Sequence, residues 1–304
     1  MYRYILFDSS QHMHFSSRLD RLGAHYTSLF DGHPEEPFRD IAPLLIDITV
    51  DGDITQAVVD ETARIGLIKP CVSMLDSTKS LQELGDRLRQ FHLFEMPSGK
   101  LLVTRWYDTR ILPALFGILN PKQVATFSDG ITAWKSYDRF GAVQEQRIPR
   151  NSDRTRPNES MPLALDVAQE RALFDAAEPD VLIYELRRNI RAEIDSVPRH
   201  VLHPFISSQW QKAREFGVTG QADQLQLMIL ALSTSGHYAE HPGVMNRLQS
   251  CFSDNQESFQ QWIENLPEEV WKSGRPLWEI SERVPENCPG RSESEVSRRS
   301  WEGG

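Results

Sequence analysis

"HLFEMPSGKLLVTRWYDTRIL", residues 92–112, decides the reading of the fold. Two short apolar runs, "HLFEM" and "LLVTRWY", flank "PSGK", whose Pro97 and Gly99 favour a turn, so the pair predicts a hairpin. Strand period in the second run puts Val103, Arg105 and Tyr107 on one face and Leu102, Thr104 and Trp106 on the other. Asp108 then falls where a helix predicted from about Thr109 to Leu119 needs an N-cap, with Arg110 near enough to pair with a carboxylate.

Upstream of the hairpin, strands and helices alternate. "YRYILFD" (Tyr2–Asp8) is a strand, dense in aromatic and β-branched residues and stopped by Asp8, Ser9 and Ser10. Phe15, Leu19, Leu22 and Tyr26 follow at helical spacing. "APLLIDITV" predicts a strand, "ITQAVVDETARI" a helix, and "GLIKPCVSML" a strand whose middle Pro70 makes an edge or a bend. "SLQELGDRLRQF" places Leu81, Leu84, Leu88 and Phe91 on one helical face, with Ser80 and Glu83 forming a capping box. Downstream, a short helix after Pro121 precedes a second hairpin, "ITAWKSYDR" with "AVQEQRI".

A hairpin inserted into strand–helix alternation implies an α+β, or mixed α/β, N-terminal domain with a mixed sheet over residues 1–148. The polar, proline-bearing "PRNSDRTRPNESMP" supplies a linker over 149–162. Beyond it no strand pattern is legible. Ile183, Leu186, Ile190 and Ile194 mark one helical face, Phe205, Ile206, Trp210, Ala213 and Phe216 a second, and Leu225, Ile229 and Leu232 a third. An all-helical C-terminal lobe over 163–284 follows, and 285–304 has the Ser, Glu, Arg and Gly content of a mobile tail containing Trp301.

The totals narrow the function. The 304 residues carry a net charge of -10, which argues against non-specific nucleic-acid binding because a phosphate backbone would be repelled. Cys71, Cys251 and Cys288 are an odd count at wide spacing, suiting a reducing compartment better than a disulfide framework or a zinc pattern. The N-terminus lacks signal-peptide character, and no stretch approaches the roughly 20 apolar residues of a membrane span. A cytoplasmic location is the expectation.

No catalytic motif stands out. There is no nucleophile elbow, no phosphate-binding glycine loop and no dinucleotide fingerprint. "HYAEH" sets His237 and His241 four apart with Glu240 between them, the residue types of a metal-dependent hydrolase, yet Tyr238 stands where a metalloprotease has its glutamate and Pro242 ends the pattern. The pairs His200/His203 and His12/His14 read as surface or structural. In "STSGH" Gly236 is a helix end rather than part of a Ser–His pair. Cys71 and Trp134 read as core residues, and Asp108 as a cap that pairs with Arg105 or Arg110. Glu268, Glu269 and Glu279 near Trp271 and Trp278 offer a partner surface or a solvated face.

"YILFDSS", "HYTSLFDG" (His25 to Gly32), "SLQELGDRLRQF" and "RWYDTRIL" (Arg105 to Leu112), in this order over about Tyr2 to Asp138, resemble the bacterial domain-of-unknown-function family 4123. "AREFGVTGQADQLQLMILALSTSGHYAEHP", Ala213 to Pro242, is similar to the helical lobe that often follows that domain. Thr109 stands where the family often has proline, and the segment after Pro285 lies outside the pattern. The resemblance implies a non-enzymatic adaptor or effector chaperone of the type VI secretion system, with no cofactor and no metal. Its partners would be a toxic effector, held soluble in the cytoplasm, and the VgrG spike on which the effector is loaded, with neither nucleic acid nor membrane insertion. The carried-over motif is Arg105, Tyr107, Asp108 and Arg110; Phe205, Trp210, Trp262, Trp271 and Trp278 are the candidate partner anchors. An immunity protein that neutralises a toxin is the alternative, and a hydrolase using His237, Glu240 and His241 a more distant one.

Overall fold

The computed structural model describes residues 1–149, 161–249 and 258–281. A six-stranded sheet organises the first unit in the order β2-β3-β1-β4-β7-β8: β1 (Tyr2–Asp8), β2 (Tyr26–Ser28), β3 (Pro43–Asp47), β4 (Val72–Ser77), β7 (Ile131–Tyr137) and β8 (Val143–Glu145). Every pairing in it is antiparallel. A smaller sheet, β6-β5-β9, joins β5 (Leu93–Glu95) antiparallel to β6 (Leu101–Val103) and parallel to β9 (Leu163–Ala164), so this second sheet is the mixed one.

β1 is central, and its residues from Tyr4 to Asp8 are all buried, which is why it reads as an unbroken apolar run. Helices cover both faces. Gly66, the last residue of α2 (Asp53–Gly66), packs so close to β7 that an added Cβ would lie 2.4 Å from the Tyr137 ring. Trp134, at odd spacing from Tyr137 and therefore on the opposite face, meets Phe116 of α4 (Leu112–Ile118) and Phe127 of α5 (Pro121–Phe127) at 5.5 and 5.4 Å between ring centres. Between them in sequence, α3 (Leu81–Arg89) is closed by the Ser80–Glu83 capping box and packs on β2 and β3. The remaining helix, α1 (Phe15–Leu22), sets Phe15 on Phe7 at 4.0 Å. Tyr26, expected on the α1 face, belongs instead to β2, because Gly23 turns left-handed and ends the helix. Pro70 precedes β4 rather than bending it.

The boundary between compact units falls between Ala176 and Ala177, inside α6 (Val167–Asn189), not at the 149–162 linker. The strand β9, illegible in sequence at two residues, pairs with β5, and Leu163, Leu165 and Leu173 join the first core, so residues 163–176 still belong to the first unit. Most of that linker, residues 150–160, and the tail 285–304 lie outside the described residues, as do Cys251, Cys288 and Trp301.

The second unit is helical throughout its described residues: α7 (Arg191–Ser196), α8 (Arg199–Glu215), α9 (Gln221–Ser233), α10 (Pro242–Gln249), α11 (Phe259–Glu264), α12 (Glu268–Trp271) and α13 (Leu277–Ser281) follow the end of α6. The face drawn through Ile183, Leu186, Ile190 and Ile194 is broken at Ile190, which leaves helical geometry between α6 and α7, yet Leu186 and Ile194 are both fully buried in one core. α9 is apolar around much of its circumference because it is the central helix: Leu227, Met228, Leu230, Ala231 and Leu232 are all buried. Among the described residues no helix is long and apolar enough to cross a membrane.

Candidate functional site

The strand predicted through Tyr107 stops at Val103, and the reason is local. Arg105 takes a left-handed backbone conformation, φ 39°, which breaks the two-residue period. Trp106 and Tyr107 therefore both turn inward instead of alternating, and Arg105 stays at the surface. Trp106 meets Trp134 at 5.9 Å and Phe127 at 5.3 Å, pinning the segment into the aromatic core. Nor does the predicted helix begin at Thr109. Asp108 closes a turn through its own side chain, accepting from the Arg110 backbone N–H at 3.0 Å, and α4 starts only at Leu112, without a side-chain cap.

This rearrangement builds a polar clasp. Asp8, at the end of β1, is 0% exposed and accepts from the Ser10 backbone N–H at 3.0 Å, Ser10 Oγ at 2.7 Å, Gln11 Nε2 at 3.2 Å and Arg105 Nη2 at 3.1 Å. The same Nη2 donates to Ser10 Oγ at 2.7 Å and lies 3.7 Å from Asp108 Oδ2. Asp108, 1% exposed, receives Arg110 in fork geometry, from Nε at 3.0 Å and Nη2 at 2.6 Å. Two buried carboxylates thus lie beneath two guanidinium groups whose side chains remain 42% and 32% exposed. Asp108, expected to pair with Arg105 or Arg110, meets both, and Asp8 and Ser10 complete the cluster. Sequence reasoning treated those two only as a strand stop.

Neighbouring segments are tied to the clasp. Gln11 Nε2 donates to the Pro70 carbonyl at 2.8 Å, as does the Thr109 backbone N–H at 3.2 Å, while Lys69 Nζ donates to the Gln11 carbonyl at 2.8 Å and lies 3.2 Å from His12 Nδ1. His14 holds residue 40 through both its backbone N–H and its ring, Nδ1 being 3.1 Å from Asp40 Oδ1. Gly141, φ 82°, presses on the Leu67 carbonyl, where a Cβ would come within 2.4 Å. Five segments therefore meet at one end of the large sheet. Met13, Phe38, Ile41, Leu67, Ile68 and Phe140, carried on these segments, are exposed.

The titration behaviour around the clasp follows from burial. Desolvation first, and the Asp8 carboxylate next, push the Tyr107 phenol up, with Arg105 pulling against them. The Cys71 thiol, fully buried with its carbonyl accepting from the Asp8 N–H at 2.9 Å, is pushed up mainly by burial, which disfavours the thiolate. His12 is lowered by burial and then by Lys69.

The aromatic anchors expected in the helical unit are placed differently. Trp210 and Trp262 are 7% and 8% exposed and belong to the core; Arg214 lies over Trp210 at 4.8 Å, and Phe259 packs on Trp262 at 5.3 Å. Phe205, Trp271 and Trp278 are partly buried against the same core. Burial removes Trp210 and Trp262 from the exposed anchors: their helical spacing, which matched an interface stripe, is equally that of a core face.

"HYAEH" forms a 3-10 turn, His237–Glu240, in which His237 Nδ1 sits 2.9 Å from Glu240 Oε1, and His241 leaves the turn in extended conformation before α10. The two imidazoles therefore do not share a helical face. Among the described residues no group of three His, Cys, Asp or Glu side chains could hold a metal ion. Tyr238, buried between these histidines, donates to Gln209 Oε1 at 3.0 Å, and burial pushes its phenol up to about 12.

Residues 3–126 match a family model described as domain of unknown function (DUF4123). The match spans β1 to α5 and includes every residue of the clasp, but ends before β7, short of the Tyr2 to Asp138 over which the motifs run. No curated protein and no solved structure matches the chain.

Proposed function

We propose, for a chain whose residues 3–126 belong to the domain of unknown function (DUF4123) family, that it is a non-enzymatic adaptor of the type VI secretion system. In this reading it works in the cytoplasm, binding an effector toxin, keeping it soluble and loading it on the VgrG spike. One observation carries the binding part: the exposed apolar residues and the arginine pair gathered at one end of the first unit's sheet. Apolar anchors beside polar groups are the surface of a protein-binding site, and scattered single exposures would not have supported this reading.

The buried acid–arginine pairs support a binding role over catalysis. The Asp8 and Asp108 carboxylates already accept from guanidinium and backbone donors, and the neighbouring tyrosine and cysteine are pushed toward their neutral, protonated forms. The clasp and the hydrogen bonds beside it tie residues 8–14, 69–70 and 105–110 together at the end of the sheet, and the segments there also carry exposed apolar side chains.

The test is affinity purification of the tagged chain from the native bacterium in mild salt, with mass spectrometry of the co-purifying proteins. Recovery of a spike protein and one large toxin-like protein is expected, with loss of both from a Phe38→Ser, Ile68→Ser variant. Recovery of neither would sink the adaptor reading. A protein required for self-protection, but not for delivery of the toxin to a competitor, would be an immunity protein instead.

A further inference from the structure

We infer that the sheet-end site selects a partner segment that is apolar and carries a carboxylate, received by Arg105; the inference rests on the adaptor reading and adds the chemistry of what docks. Its first support is the vertical arrangement of charge. Asp8 and Asp108 are sealed beneath the surface, whereas the Arg105 and Arg110 side chains reach solvent, so a cluster that is neutral by count shows its positive side outward. On a chain of net charge -10 this gives the sheet end two guanidinium groups that reach solvent, to which an acidic group is attracted.

The second support is the backbone. Arg105 holds φ 39°, a region that suits glycine or asparagine better than a long side chain. Such strain persists only where surrounding contacts over-determine it, and it concentrates at sites of function. Here Asp8 and Ser10 hold the guanidinium through Nη2, while the side chain stays 42% exposed. The planar group is thereby pre-oriented, which lowers the ordering cost of receiving a planar carboxylate.

The apolar surroundings supply the third. Ion pairs in open water contribute little, but the exposed Met13, Phe38 and Ile68 on the adjoining segments would exclude water once an apolar segment lay on them. A carboxylate within that segment would then set its register, and the apolar contacts would supply most of the affinity.

The probes are two fluorescein-labelled amphipathic peptides of one sequence, one bearing glutamates between its leucines and the other glutamines, titrated with the full chain by fluorescence anisotropy. The glutamate peptide is expected to bind about tenfold more tightly, the Arg105→Gln variant to lose that preference, and Arg105→Lys to keep part of it. Equal binding of the twins, binding of neither, or an Arg105→Gln variant of unchanged melting temperature that keeps the preference would overturn the inference. So would displacement of the glutamate peptide by millimolar inorganic phosphate, which would mark a small-anion site. If Arg105→Gln does not fold, Ile68→Glu gives the readout. It should lower affinity for the glutamate peptide about tenfold by like-charge repulsion, and an unchanged affinity again overturns the inference. Peptide failure alongside successful purification of the effector would reject only the carboxylate; failure of the purification rejects the adaptor reading itself.

Discussion

Two regions invited the same reading and bury their aromatics by different routes. The segment 104–111 offered cations and aromatics, and so did the stripe through Phe205, Trp210 and Phe216. In the first, the aromatics Trp106 and Tyr107 went inward and the cations stayed out; in the second, Trp210 entered the core of its unit with Arg214 lying over its ring. Aromatic residues at regular spacing report which face is buried, not which face binds. The break in regularity at φ 39° on Arg105 is what separates the two segments: it ends the strand period and turns two successive aromatics inward.

The largest expected effect tests the buried side of this contrast. Trp262→Ala should destabilise the helical unit by about 3–5 kcal/mol in urea unfolding, as a core tryptophan does, while a surface anchor would cost under about 0.5 kcal/mol and weaken partner binding instead. Asp108→Ala should cost about 1–3 kcal/mol, because it strips the Arg110 fork and its backbone N–H of their acceptor. A loss near the foot of that range would mean that the turn alone, and not the ion pair, matters.

Acid should loosen the first unit before the second. His92 is buried, its Nε2 3.1 Å from Glu35 Oε2 and its ring 4.5 Å from that of His33; burial, then His33, lower its pKa, with Glu35 opposing. The unfolded chain then takes up the proton more readily than the folded one. Stability from this site is full above the ordinary histidine value of about 6.5 and is lost as pH falls from there toward the folded value. His12, lowered by burial and Lys69, acts in the same direction. Melting curves between pH 8 and pH 5 should show the loss, reduced in His92→Gln; a pH-independent melting temperature would contradict it. The smallest effect belongs to the exposed rim. Phe38→Ser should change stability by less than about 0.5 kcal/mol while weakening partner capture, and a larger loss of stability would show that Phe38 packs more than its exposure indicates.

Legibility followed the range of the interactions. The capping box at Ser80, the run of β1 and the hairpin turn at Pro97 and Gly99 depend on residues within a few positions of one another, so their signals lie in short windows of sequence. Asp8 and Arg105 are separated by 97 positions, and nothing local to either announces the other. β9 was missed for the same reason: two residues carry no period, and only β5 makes them a strand. The domain boundary moved because the first core reaches as far as Leu173, within a helix that sequence alone reads as one piece.

By itself, then, the sequence determined the secondary elements that local periodicity, caps and turns can specify, the mixed and helical halves, the motifs of the stretch whose residues 3–126 match a family model, and a net charge of -10. Tertiary structure alone decided which charges are buried beneath which, which tryptophans are core, and which apolar residues from five separate segments share one end of a sheet. The physical reason is that burial and ion pairing are properties of a place in space, and chain folding brings to that place residues whose separation in sequence leaves no trace in any one of them.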